Sequence, residues 1–217
     1  MKILALSDLH GKCSKLDKIL SASGEVDLIL FAGDITDLGF IGSAKVLMKL
    51  WSKKVLAVQG NCDLPWDKAF FDFSRAINLH ASSLQIDDFL FMGLGGSNIT
   101  PYNTPYELTE CEIREILKQF EGAVRNHVGR KILVSHVPPF EILDLTKDYI
   151  NAGSYALREF LESNELDLVI CGHIHEAYGI DRLGKTLIVN TGAAEVGQAA
   201  FIEINVGIEV QLLKLDD

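Results

Sequence analysis

Seven side chains in five short stretches of this sequence are of types that hold metal ions. Ser7-Asp8-Leu9-His10 supplies a carboxylate and an imidazole, and Ala32-Gly33-Asp34 supplies a second carboxylate. Gly60-Asn61-Cys62-Asp63 sets an amide beside a thiol and a carboxylate. Ser135-His136-Val137-Pro138-Pro139 adds one imidazole, and Gly172-His173-Ile174-His175 adds two. Asp8, His10, Asp34, Asn61, His136, His173 and His175 therefore pool two carboxylates, one amide oxygen and four of the chain's six histidines. That is too many donors for one tetrahedral ion. It suffices for two ions if one carboxylate bridges and water completes each shell. Imidazole mixed with oxygen suits Mn, Fe, Zn, Co or Ni rather than Ca. Glycines before Asp34, Asn61 and His173 permit sharp turns and close backbone approach.

Each stretch follows a short run rich in Val, Ile and Leu: KILAL, DLILF, KVLAV, KILV and LDLVI. The runs are continuous rather than alternating, as in strands covered on both faces. Helical spacing appears over 14–22, with Ser14 as cap and Leu16, Ile19 and Leu20 on one face, and over 43–51. It appears again over 109–126, opened by the capping box Thr109-Glu110-Cys111-Glu112, and over 154–163, capped by Ser154. Strand–helix alternation implies parallel βαβ units. Ligands of such sheets lie beyond the carboxyl ends of the strands, so five polar loops at that edge can converge. LQIDDFLFMG (84–93) reads as a hairpin around Asp87-Asp88, and AYGIDRL, KTLIVN, AAFIEI and IEVQLLKL read as turn-linked, antiparallel strands. The expectation is an α/β fold, two packed sheets with helices outside, forming one domain over 1–217.

A net charge of −10 argues against sequence-independent binding to a nucleic-acid backbone, which relies on Lys and Arg. Bound cations could still make one pocket positive. Cys13, Cys62, Cys111 and Cys171 are far apart and form no C-x-x-C pair, so a reducing, cytoplasmic setting is expected. The apolar stretch in MKILALSDLH is too short for a signal-peptide core, and no window approaches a membrane span.

D-x-H at Asp8–His10, G-D at Gly33–Asp34, G-N-x-D at Gly60–Asp63, a lone histidine at His136 and G-H-x-H at Gly172–His175, in this order, resemble the calcineurin-like metallophosphoesterases. The resemblance spans residues 8–175, and SHVPP, GGSN and GHIHE look most like the small Icc-related and bacterial or archaeal phosphodiesterase members. It implies a four-layer α/β/β/α sandwich and two divalent transition-metal ions, Mn first. Asp8, His10 and His175 would hold one ion, Asn61, His136 and His173 the other, and Asp34 would bridge. A hydroxide bridging the ions would attack a phosphoester, preferably a diester, and Ser97 and Asn98 in GLGGSN would reach the substrate. Two ions roughly 3.5–4 Å apart lower the pKa of that water and grip the phosphoryl oxygens.

The departure from the family is Cys62. Many members have histidine there, usually assigned to protonate the leaving oxygen, with the next carboxylate orienting it. The corresponding catalytic set here is Asn61, Cys62 and Asp63. A thiol is a weak donor and carries no positive charge. General-acid assistance is worth about 10²–10⁴-fold, so diesters or activated esters should be favoured over alkyl monoesters. A nucleophilic Cys62 has no activating His or Asn partner outside the metal set. Asp63 could cap the loop backbone or support the site from behind. Asn190-Thr191-Gly192 could also support it, whereas His80 and His127 read as structural and Cys13 and Cys171 as core fillers. Phe70, Phe71 and Phe73 read as core or interface, which leaves a homodimer open. Two rival functions remain: a phosphomonoesterase or nucleotide phosphohydrolase, and a non-catalytic scaffold of the same fold, which would be expected to have lost ligands.

Overall fold

Two six-stranded mixed sheets pack face to face. The computed structural model describes residues 1–38, 53–64 and 76–215. The first sheet contains β1 (Lys2–Leu6), β2 (Leu28–Ala32), β3 (Val55–Val58), β4 (Ile77–Asn78), β13 (Gln198–Ile204) and β14 (Ile208–Lys214), in the order β14-β13-β1-β2-β3-β4. The second contains β5 (Ser83–Ile86), β6 (Phe89–Leu94), β9 (Arg130–Ser135), β10 (Leu168–Cys171), β11 (Gly179–Leu183) and β12 (Thr186–Asn190), in the order β11-β12-β10-β9-β6-β5. A small parallel pair, β7 (Ser97–Asn98) and β8 (Glu107–Leu108), stands apart. β1, β2, β3 and β4 run parallel, as do β6, β9, β10 and β12.

The continuous apolar runs are buried on both faces, as expected of central parallel strands. Successive side chains alternate between layers. Ile3 and Ala5 join Ile132, Val134 and Ile170 in the core between the sheets. Leu4 and Leu6 face outward to pack with Leu16 and Ile19 of α1 (Leu16–Ser23). On the far side, Leu133, Val169 and Cys171 pack with α2 (Glu110–Lys118), α3 (Glu121–Asn126) and α4 (Tyr155–Ser163). The order helix, sheet, sheet, helix is the expected four-layer sandwich.

Three local expectations change. α1 begins at Leu16, with Lys15 in the cap position and no side-chain cap, so Ser14 does not cap it. The helical stretch 109–126 is two helices, α2 and α3, separated at Gln119 and Phe120. Its capping box is formed: Thr109 accepts from the Glu112 amide while Glu112 accepts from the Thr109 amide. The C-terminal strands divide between the sheets, β11 and β12 in one and β13 and β14 in the other, and β12 lies parallel to β10. Ser154 caps α4 through the Leu157 amide, and Asp87 turns the β5–β6 hairpin in a left-handed conformation. The helix expected over 43–51 and residues Phe70, Phe71 and Phe73 lie outside the described residues. Among the described residues no helix is long and apolar enough to cross a membrane.

Candidate metal centre

All five polar loops emerge from the carboxyl ends of β1, β2, β3, β9 and β10. Backbone bonds lock them together. The amides of Asp8 and His10 donate to Gly33 O and Asp34 O, and the Gly172 amide donates to His136 O. The His173 amide donates to Asp8 Oδ2 at 2.9 Å, which ties the second sheet to the first. Asp8, His10, Asp34 and His173 all have left-handed backbones, with φ of 53°, 46°, 51° and 66°. Side chains with a Cβ rarely adopt this conformation, and such strain gathers where function fixes the chain.

The preceding glycines are required by space. A Cβ on Gly60 would run into the Asp34 carboxylate, and one on Gly172 would run into Ser7 and Asp8. Gly33 needs its φ of +89°, and a Cβ there would stand 2.6 Å from His136 Nδ1.

Three overlapping sets of ligand atoms each lie within 4.8 Å of one another: Asp8, His10 and His175; Asp8, Asp34 and His136; and His10, Asp34 and Cys62. Asp34 Oδ2 is 3.8 Å from His10 Nε2 and 3.5 Å from His136 Nε2. His173 belongs to none of the three sets; its ring packs edge-on against His136, with centroids 4.9 Å apart.

The donor arrangement fits divalent cations. His136 Nδ1 lies 2.7 Å from Ala32 O, which only accepts, so Nδ1 carries the proton and a neutral ring has a bare Nε2. That lone pair faces Asn61 Oδ1 at 2.8 Å, while Asn61 Nδ2 donates to Thr104 Oγ1. Two acceptors meeting this closely need a proton or a metal ion beside them. A histidine donating its other N–H to a backbone carbonyl is also the usual arrangement of a metal ligand. Asp8 Oδ1 is fully buried without a hydrogen-bond partner, 3.1 Å from His175 Nε2 and 3.9 Å from His10 Nε2.

Electrostatics set the candidate ligands apart from one another. Burial would raise the pKa of Asp8, but His175, His136 and the Ser7 hydroxyl outweigh it and hold the carboxyl well below its usual range. Burial, then the charge of His136, hold His173 down to about 3, so the imidazole is neutral as a ligand must be. Burial would lower His175, yet the Asp8 carboxylate 3.1 Å away prevails and raises it to about 9, so a cation held there would have to displace the proton on His175.

The remaining expected residues take different positions. The Cys62 amide donates to Asp34 Oδ1 at 2.8 Å, and burial, then Asp34, push its thiol well above the ordinary value. Asp63 is buried and accepts from the amides of Gly60, Ile35 and Thr36 and from the Thr36 hydroxyl. Burial and the Asp34 charge push it up to about 6 against those donors. Of the two roles open to it, the geometry is that of a loop cap joining the Asp34 and Asn61 loops. Ser97, expected at the substrate, is buried with its hydroxyl on Asn98 O. Asn98 donates to Gly153 O at 3.4 Å, and its Oδ1 is buried without a partner.

Several supporting residues carry little signal in sequence. Ser7 Oγ donates to Asp8 Oδ2 at 2.5 Å and reaches Ala32 O at 3.0 Å. Asn190, placed behind the site by its strand-end position, donates to the carbonyls of Leu143, Gly172 and Ile174 and accepts from Gly192 N. It thereby holds the loop of His173 and His175. Thr104 and Tyr106 brace Asn61, the first through its hydroxyl and the second by donating its amide to Asn61 O. Both pairings join residues more than 40 positions apart in the chain.

A two-sheet sandwich with carboxylates and imidazoles at one strand-end edge is the architecture of a metal-dependent phosphoesterase. The model of the calcineurin-like phosphoesterase family matches residues 1–177. An uncharacterized protein of Methanocaldococcus jannaschii, MJ1162, is 37% identical over 202 residues, covering 88% of this chain and 87% of its own. The crystal structure of TT1561 of Thermus thermophilus superposes with a TM-score of 0.71 at 17% identity, over 97% of each chain. A dimetal phosphatase from Danio rerio superposes with a TM-score of 0.71 at 13% identity, over 99% of this chain and 96% of its own. The chain belongs to the calcineurin-like phosphoesterase family, a phosphoester-hydrolase family that implies divalent metal ions.

Proposed function

We propose that this protein hydrolyses phosphoesters at a two-metal centre, and phosphodiesters in preference to alkyl monoesters. The carrying observation is the place of Asp34: one carboxylate oxygen lies within 4 Å of a histidine from each half of the cluster, His10 and His136. Asp8, His10 and His175 would hold one ion; Asn61, His136 and His173 would hold the other, with Asp34 shared. Such ions supply Lewis-acid polarisation of the phosphoryl group and an acidified water.

The chain's own residues do the rest. Asp8 and His173 fix one another through the 2.9 Å bond across the sheets. Asp34 Oδ1 is oriented by the Cys62 amide, leaving Oδ2 toward both histidines. Asp63 sets the spacing between the two loops. At the position where many members of the family are expected to carry a histidine, Cys62 offers a neutral, weakly donating thiol, which favours esters whose leaving group needs no proton. Manganese is the first metal to test, because ligand type alone does not select among Mn, Fe, Zn, Co and Ni.

The test combines metal content with turnover of bis-p-nitrophenyl phosphate under Mn²⁺. Two ions per chain and metal-dependent hydrolysis are expected. A protein that takes up no divalent ion and turns over no ester would instead be a scaffold on this fold.

A further inference from the structure

A side-chain amide has two ends of nearly the same shape and opposite kind: an oxygen that can face a cation and an NH2 that cannot. In Asn61, Oδ1 lies 2.8 Å from His136 Nε2, and Nδ2 donates to Thr104 Oγ1 at 3.1 Å. His136 Nε2 is a bare acceptor, because Nδ1 gives its proton to Ala32 O. Left to itself the amide should turn over, so that Nδ2 donates to Nε2 and both groups are satisfied. The observed orientation sets two buried acceptors against each other, which destabilises both.

Glu107 is what holds the amide this way round. It stands half-buried at the start of β8. That strand is tied to the Asn61 loop by the Tyr106 amide, which donates to Asn61 O. Glu107 Oε1 accepts from the hydroxyls of Thr100 and Thr104, at 2.5 and 2.7 Å, and from the Thr104 amide at 2.9 Å. Burial would raise its pKa, but those donors hold the carboxyl below its ordinary value. An ionised carboxylate only accepts, so it claims the single proton of the Thr104 hydroxyl. The hydroxyl then has only lone pairs to offer Asn61, and only Nδ2 can meet them. Turning the amide over would press Oδ1 against those lone pairs. The direction set at Glu107 therefore passes through Thr104 and aims Asn61 Oδ1 at His136.

We propose that Glu107 is a positioning residue: by fixing the direction of the Thr104 hydroxyl, it holds the Asn61 oxygen toward the pocket that Asn61, His136 and His173 would form around a divalent cation. The part that concerns the cation rests on the two-metal reading; the orientation of the amide does not. The orientation that is unfavourable without a cation is the one that a cation needs, so the relay gives up some stability for a ligand that needs no rearrangement.

The test reads the amide first, by NMR in metal-free protein. Cross-peaks should connect the Asn61 side-chain NH2 to Thr104 in the parent. In Glu107→Ala, where the freed hydroxyl can donate to Asn61 Oδ1, they should connect it to His136. Zn²⁺ is then titrated against a competing chelator, with the ring nitrogens of His136 and His173 reporting occupancy. Glu107→Ala should weaken that ion by about 10–100-fold, the range for residues that orient ligands. Glu107→Gln keeps a carbonyl oxygen for the hydroxyl, and should recover the parental amide contacts and most of the affinity. Unchanged contacts and affinity in Glu107→Ala, or a Glu107→Gln protein as weak as Glu107→Ala, would overturn the proposal. A parent protein in which Zn²⁺ leaves both rings untouched would instead overturn the two-metal reading, while the amide contacts would still decide the relay.

Discussion

His136 Nε2 stands 3.5 Å from Asp34 Oδ2, although Asp34 follows β2 in one sheet and His136 follows β9 in the other. The two sheets are thus joined at their edge by candidate ligands as well as by the apolar core beneath. Asp34→Asn keeps the shape but removes the charge that would neutralise cations on both sides. Even residues that merely orient ligands cost about 10–100-fold when lost, so this variant should lose at least about 100-fold in turnover and at least one bound ion. Elemental analysis beside steady-state kinetics would check both. Full metal content and near-normal turnover would remove Asp34 from the shared position.

Asn190 makes four hydrogen bonds from a fully buried position, two of them to carbonyls of the His173 and His175 loop and one to Leu143 O in the loop after β9. Asn190→Ala would remove the side-chain tie between them, although Gly172 O and Ile174 O keep the amides of Ile174 and Ala177. The expected loss is about 2–4 kcal/mol in urea unfolding, together with weaker metal binding. A variant as stable as the parent, with unchanged metal affinity, would mean that the loop holds itself.

The candidate cluster was legible because each candidate ligand follows a strand buried on both faces, and such strands read as unbroken apolar runs. Ile3–Leu6 and Ile132–Val134 are buried throughout, so the pattern marks where each run stops and the polar loop begins. The supports were less legible, because they depend on contacts remote in the chain. Thr104 meets Asn61 and Glu110 meets Ser154 through the fold, and neither pair has a local pattern. Ser14 illustrates the opposite error. It has a favourable cap type, but the amides that it would serve are arranged by the turn that begins α1 at Leu16, one residue beyond Lys15. The C-terminal strands were legible as strands, but their division between sheets follows from edge pairing: β13 pairs with β1, and the Met1 ammonium donates to Ile204 O at 2.8 Å.

His80 should make the protein less stable in acid. The Gly95 amide donates to His80 Nδ1 at 2.9 Å, so that nitrogen has no proton, and Nε2–H is left to donate to Tyr106 Oη at 2.7 Å. Burial lowers the pKa below its ordinary value. The unfolded chain therefore binds more protons than the native one as pH falls through about 6.5, and stability falls with it. Urea unfolding at pH of about 7.5 and about 5 should show a smaller loss in His80→Gln than in the parent protein. Equal losses would mean that other groups, such as the similarly lowered His173, carry the whole acid effect.

Cys62 stands beside Asn61 and directs its amide to Asp34, so its side chain can be exchanged while that backbone bond is kept. Cys62→His places an imidazole where the family resemblance leads one to expect it. An imidazolium can give a proton to a poor leaving group, whereas a p-nitrophenolate leaves without help. The gain should therefore fall on alkyl monoesters, by up to the roughly 10²-fold lower end of general-acid assistance, with little change for bis-p-nitrophenyl phosphate. The quantity to measure is the ratio of kcat/KM for an alkyl monoester to that for the aryl diester. A rise in that ratio with metal content unchanged assigns the diester preference to the missing imidazole. A fixed ratio would place the preference elsewhere than at Cys62.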